Sequence, residues 1–158
     1  MSDADTTQPS TGISGGSDPL EPWPAVSVVM PIRNEAAHLE HSVEAVLAQQ
    51  YPGPLEVCLA VGPSHDDTEE LAAQLSARHP NVTVVANPAG LTPAALNAGI
   101  RATTGDVIVR VDGHARLSAG YIQRAVQTMQ RTGAVNVGGI QHAVGDTPFE
   151  CAVALAMT

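Results

Sequence analysis

The residues best placed to do chemistry are Asp112 and His114, either side of Gly113 at the end of the run Gly105-Asp106-Val107-Ile108-Val109-Arg110-Val111-Asp112-Gly113-His114. A carboxylate and an imidazole two positions apart can share a divalent cation, and a cation held there can cradle a diphosphate. The same residues also make an ordinary Asp-Gly turn followed by a His with no task. Position is what gives the first reading weight. Val107, Ile108, Val109 and Val111 are β-branched and nearly continuous, as in a parallel strand covered on both faces. Gly113 lets the chain turn sharply where that strand stops. Open α/β sheets bind their ligands beyond the carboxyl ends of the strands.

The elements that must position this pair can be read from hydrophobic period and from breakers. Val26 to Met30, Leu55 to Val61, Val82 to Ala86 and Asp106 to Asp112 read as strands, with a fifth over Val135 to Ile140. Helices are expected from about Glu35 to Gln50 with Asn34 as cap, and from the Asp67/Glu70 capping box to about Arg78. A third starts at Thr92-Pro93 and ends near Thr103, and a fourth runs from Ser118 to a stop at Gly133. The apolar segment 149–158 could begin one more. Strands alternating with helices predict an α/β fold: a mostly parallel sheet with helices on both faces. The strand-to-helix loops then gather Arg33-Asn34-Glu35, Ser64-His65-Asp66, Asn87 to Thr92 and Asp112-Gly113-His114 on one edge. That edge is where a nucleotide would bind.

Residues 1–24 are rich in Ser, Thr, Gly, Asp and Pro and read as a disordered tail, with Trp23 tethering its end. The remainder, 25–158, is long enough for one domain with a real core. The seven basic residues are all Arg, and the net charge is −9. Asp3, Asp5, Asp18 and Glu21 lie in the first 22 residues with no base, so the rest carries −5. This balance argues against nucleic acid as a partner. Cys58 lies in an apolar run, and Cys58 and Cys151 have no metal or disulfide spacing. The first residues lack the basic and apolar regions of a signal peptide, and no run reaches the roughly 20 apolar residues of a membrane helix. A reducing, cytoplasmic setting is expected.

Four phosphate-binding designs can be set aside. No GxGxxG follows the first strand, so the usual dinucleotide fingerprint is missing. Without Lys there is neither a Walker-type loop nor the late-strand Lys of a phospho-receiver domain. A nucleotidyltransferase would carry glycines after the first strand, where this chain has Pro31-Ile32-Arg33-Asn34-Glu35.

The segment Val26-Ser27-Val28-Val29-Met30-Pro31-Ile32-Arg33-Asn34-Glu35 resembles the opening of family-two glycosyltransferases, a strand followed by Pro-x-x-Asn-Glu. Asn87-x-x-Gly90, Ala95-Leu96-Asn97-x-Gly99, Ala102-x-x-Gly105-Asp106 and Asp112-x-His114 follow the same family in order, from about residue 25 to the last. Asp112-Gly113-His114, with Val137-Gly138-Gly139 after it, looks most like the membrane-associated enzymes of succinoglycan-type exopolysaccharide assembly. The resemblance implies a GT-A, Rossmann-like fold with a nucleotide-diphospho-sugar donor across the sheet edge. The sugar would pass to an acceptor hydroxyl on a glycan or lipid-linked acceptor by an inverting, metal-assisted displacement. By position, Pro31, Arg33 and Glu35 would line the nucleoside pocket. Asp66 matches the acidic position before the second helix, and Asn97 the donor-side helix. Asp112 would meet the ribose or the metal, and His114 the metal. The cation would be Mn²⁺ or Mg²⁺, and a His ligand suits Mn²⁺ better.

The chain departs from the family in two places. Val61-Gly62-Pro63-Ser64 stands where Asp-Asp-Gly-Ser is usual, so the base-recognising carboxylate is missing. His114 stands where a second Asp is usual. By the same resemblance the acceptor half, with the general base, is expected beyond Thr158. The only acids after Asp112 are Asp146 and Glu150, and neither sits in a matching motif. The expectation is a donor-binding half, truncated at its carboxyl end and inactive alone. Its parent enzyme would work in the cytoplasm, with room for peripheral association at the inner face of the plasma membrane. The rival reading is a non-catalytic nucleotide-binding or interaction module.

Overall fold

A computed structural model of the chain describes residues 22–140 and 148–156. Four strands form one parallel sheet in the order β3-β2-β1-β4: β1 (Val26–Ile32), β2 (Leu55–Val61), β3 (Val82–Ala86) and β4 (Val107–Arg110). Val28 of β1 sits opposite Val57 of β2 and Val109 of β4. The helices are α1 (Leu39–Leu47), α2 (Thr68–Arg78), α3 (Thr92–Ala102), α4 (Tyr121–Thr132) and α5 (Pro148–Ala156).

The sheet's period of two decides what each face meets. Val26, Val28, Met30 and Ile32 share a buried cluster with Leu39, Val43 and Val46 of α1, Ala72 and Leu75 of α2, and Ile122 and Val126 of α4. Each fully buried aliphatic side chain of this kind contributes about 1.5–3 kcal/mol. The odd-numbered face of β1 meets α3. A methyl group on Gly99 would come within 2.4 Å of Val29 Cγ1, so this glycine is what lets the helix lie against the strand. Helices therefore cover both faces, as the alternation of elements requires.

At the amino ends of the strands a polar cluster ties β4 to the sheet. Ser27 is fully buried, and its hydroxyl donates to Glu56 Oε1 at 2.6 Å and accepts from the Gly105 amide at 2.8 Å. The Thr104 amide donates to the same Glu56 oxygen at 2.8 Å. These bonds, led by the Ser27 hydroxyl, hold the Glu56 carboxyl below its ordinary range. Trp23 packs edge-on against Tyr51 with ring centroids 5.5 Å apart, and the Tyr51 hydroxyl donates to the Pro24 carbonyl. Burial pushes the Cys58 thiol up, which leaves it inert.

Four expectations change. Helix α1 begins at Leu39, because Asn34 adopts a left-handed conformation (φ 55°) and does not cap it. The Glu35 carbonyl instead accepts from the amides of His38 and Leu39. Asp67 makes no side-chain cap on α2; Asp66 serves, accepting from the Thr68 amide at 3.2 Å. Helix α4 starts at Tyr121, after Gly120 in the left-handed region. The fifth strand is not formed: residues 134–140 have no regular structure, and Val135 and Ile140 are 94% and 87% exposed. Gly138 and Gly139 contribute no side chain to a ladder, and no described strand pairs with this run. Residues 1–21 of the expected tail lie outside the described residues, as do Met157 and Thr158 at the end of the apolar segment expected over 149–158.

Candidate functional site

A cleft of about 300 Å³ opens at the carboxyl ends of β1 and β4, beside the first turns of α3. Parity explains its composition. Ile108, Arg110 and Asp112 alternate onto the same face of the β4 segment, the face that β1 presents to α3 through Val29 and Pro31. Val111 still donates to the Val29 carbonyl, so Asp112 is the first residue free of the ladder. Gly113 then turns the chain toward the loop after β1. A methyl group here would lie 2.9 Å from Glu35 Cγ and 3.0 Å from Ile32 Cδ1, a contact only glycine permits.

Two side-chain pairs stand in the cleft. His114 Nδ1 lies 2.9 Å from Glu35 Oε1. A carboxylate can only accept, so Nδ1 carries a proton; in the neutral ring Nε2 then keeps its lone pair for another partner. Arg110 Nε donates to Asp112 Oδ1 at 2.9 Å. Glu35 is the most sheltered of the four, its side chain 17% exposed against 64% for His114. From the opposite wall the Arg33 guanidinium reaches the Gly90 carbonyl at 3.4 Å. Gly90 has φ 64°, and the turn around it is closed by its amide bonding to the Asn87 carbonyl. Asn87, 4% exposed, donates its amide group to the Leu91 carbonyl and shapes the same loop.

The structure brings Pro31, Arg33, Glu35, Asp112 and His114 together on this cleft. It does not bring Asp66 or Asn97 to it. Asp66 is a latch between loops: Oδ2 accepts from the Ala36 amide at 3.1 Å, and Oδ1 accepts from the Thr68 amide and hydroxyl. Those bonds, the Thr68 hydroxyl first, hold its carboxyl below the ordinary range. Asn34 completes the latch by accepting from the His65 amide at 2.8 Å, while its own amide donates to Ser64 Oγ. Asn97 is exposed on α3, outside the cleft. Glu35, expected against the nucleoside, lines the cleft and faces His114 there. Arg110 is the site residue that sequence reasoning passed over; its same-face spacing with Asp112 was the available signal.

Outside the His114–Glu35 and Arg110–Asp112 bonds, Asp112 Oδ2, Glu35 Oε2 and, in the neutral ring, His114 Nε2 are the atoms of these residues that could meet a cation. Among the described residues no three His, Cys, Asp or Glu side chains converge as a set of metal ligands. No described helix is long and apolar enough to cross a membrane.

Comparison with known proteins gives this geometry a family. Residues 27–156 match the model for glycosyl transferase family 2. The succinoglycan biosynthesis protein ExoA of Rhizobium meliloti is 32% identical over 131 residues, covering 82% of this chain and 40% of its own. The glycosyltransferase AglE of Haloferax volcanii is 33% identical over 118 residues, covering 73% of this chain and 39% of its own. The chain thus spans well under half the length of these relatives. Among solved structures, the mannosyltransferase PcManGT of Pyrobaculum calidifontis, in complex with GDP-Man and Mn²⁺, superposes with a TM-score of 0.64 at 30% identity. That match covers 71% of this chain and 34% of the mannosyltransferase. The four-strand parallel sheet is the α/β arrangement of GT-A transferases, and the chain belongs to glycosyl transferase family 2.

Proposed function

We propose that residues 25–158 form the donor-binding part of an inverting, metal-assisted transferase that moves a sugar from a nucleotide-diphospho-sugar to an acceptor hydroxyl. The process would be synthesis of a polysaccharide or cell-envelope glycan, on a glycan or lipid-linked acceptor, at the cytoplasmic side of the membrane. The observation that carries this reading is the meeting of Arg33, Glu35, Asp112 and His114 on one open cleft at the strand ends. The relative in succinoglycan biosynthesis and the neighbour holding GDP-Man with Mn²⁺ support it.

The residues fit a cation that is completed by its substrate. One carboxylate and one imidazole nitrogen leave the remaining positions for diphosphate oxygens and water, the usual arrangement for Mg²⁺ or Mn²⁺ at a phosphate site. Asp112 and His114 would hold it, and when bound it would neutralise charge growing on the leaving diphosphate. Glu35 fixes the His114 ring and its tautomer, as outer carboxylates do for metal-binding histidines. Arg33 and the Gly90 turn wall the side where a nucleoside would lie. The Asp66 latch keeps the loop that carries Arg33 and Glu35 in place.

Calorimetric titration of the chain with GDP and with UDP, each with Mn²⁺ and with EDTA, tests the reading. Binding of either nucleotide that tightens with Mn²⁺, and loses that tightening in Asp112→Ala, supports it. Binding that neither Mn²⁺ nor Asp112→Ala alters favours a non-catalytic nucleotide-binding module.

A further inference from the structure

The cleft is sparing in carboxylates for a site that must hold a diphosphate. Its two acids are each engaged through one oxygen, Glu35 Oε1 with His114 and Asp112 Oδ1 with Arg110, so each has a single oxygen left for a cation. Against that stands a guanidinium already fixed in the same space. Arg110 is bound through Nε to Asp112 Oδ1, and among the described residues its two terminal nitrogens donate to nothing. Its side chain is 56% exposed and lines the cleft. A guanidinium anchored by one edge presents its remaining N–H groups in a fixed fork. That geometry matches two oxygens of a phosphate and has lost part of its freedom before any ligand arrives.

We propose that Arg110 is a diphosphate-binding residue of this cleft, held in place by Asp112, and that it supplies part of the positive charge that would otherwise come from a metal alone. The inference rests on the donor-site reading above and adds a residue and a division of labour to it. Asp112 then has two tasks on its two oxygens: one orients Arg110, and the other is open to a cation. The diphosphate is gripped from both sides, by a fixed cation of the chain and by an exchangeable one. Nucleoside diphosphate binding therefore persists when the metal is chelated, and Arg110 carries that residual binding.

The test is titration of the 158-residue chain, wild type, Arg110→Gln and Arg110→Lys, with GDP and UDP in EDTA and again with Mn²⁺. The wild type is expected to bind one of the nucleotides in EDTA. Arg110→Gln is expected to bind it at least about tenfold more weakly, the loss of a charge-assisted hydrogen bond. Arg110→Lys keeps the charge without the fork and falls between. The ratio of the EDTA to the Mn²⁺ dissociation constant stays within about twofold of wild type in Arg110→Gln, because Asp112 and His114 remain; a lesion that merely disturbed the strand end would collapse that ratio. Equal affinity of Arg110→Gln and wild type in EDTA overturns the proposal, as does wild-type binding that vanishes altogether in EDTA but appears with Mn²⁺. A wild type that binds neither nucleotide under either condition defeats the donor-site reading itself, and this proposal with it.

Discussion

Glu35 Oε1 and His114 Nδ1 lie 2.9 Å apart, joining the loop after β1 to the turn after β4 across 79 residues of chain. The contact puts a proton on Nδ1, and in the neutral ring it thereby fixes the tautomer. Replacing Glu35 by Ala frees the ring to rotate and to change tautomer. The gain in nucleotide affinity produced by Mn²⁺ should fall by about 10–100-fold. Titration gives the affinity, and nitrogen chemical shifts of the His114 ring give the tautomer. An unchanged ring and an unchanged Mn²⁺ effect would remove Glu35 from this role.

Gly113 permits the approach that makes that contact. A methyl group there meets Glu35 Cγ and Ile32 Cδ1 at 3.0 Å or less. Gly113→Ala should therefore cost about 1–3 kcal/mol of stability and weaken nucleotide binding as well. Gly99→Ala is the comparison, since its methyl would meet Val29 on the buried face of α3. It should lower the melting temperature with a smaller effect on affinity once the protein is held folded. Equal binding by Gly113→Ala and wild type would show that the turn does not need this close packing.

Asp66 acts at a distance from the cleft. Its carboxylate binds the Ala36 amide and the start of α2, so Asp66→Ala should loosen the loop bearing Arg33 and Glu35. Nucleotide affinity should fall by a similar factor with and without Mn²⁺. Hydrogen exchange at Ala36 and Thr68 should quicken. A loss confined to the Mn²⁺ condition would instead put Asp66 at the metal.

The Ser27–Glu56 cluster sets an acid limb for stability. The folded state holds the Glu56 carboxyl below its ordinary range, so the folded state binds that proton less readily than the unfolded one. Its stabilising contribution is whole above about pH 4.3, the ordinary glutamate value, and is lost as pH falls through the lower folded value. Glu56→Gln should be less stable than wild type at neutral pH and converge with it in acid. Denaturant midpoints measured across this range check it; parallel curves would show that Glu56 does not titrate with folding.

Much of this architecture was legible because β-branched runs and helical periods were undisturbed. Val26 to Met30 and Leu55 to Val61 could hardly be anything but strands, though β1 runs on through Pro31 to Ile32, and Gly133 ends α4 in the left-handed conformation its type suits. The misreadings share a cause: a residue with a good local use was taken by a distant partner. Asn34 reads as a cap, but the His65 amide, 31 residues away, claims its carbonyl oxygen. Asp66 reads equally as a donor-site acid or a helix cap, and in the structure it accepts from Ala36 and Thr68. Residues 135–140 alternate like a strand, yet a strand exists only where a neighbour completes its ladder. Arg110 is a lone charge in a strand that otherwise reads as buried. Its pairing with Asp112 depends on side-chain reach, which spacing suggests and only coordinates settle.

The central claim is that Asp112 and His114 together hold a cation against a nucleoside diphosphate. Nuclear magnetic resonance of the isotopically labelled chain with GDP or UDP and trace Mn²⁺ tests it directly, because the paramagnetic ion broadens signals only near itself. Asp112, Gly113 and His114 should broaden first, while Asn97 and the Ser27–Glu56 cluster stay sharp. Broadening centred away from the Asp112–His114 turn, or none at this turn with nucleotide bound, would contradict it.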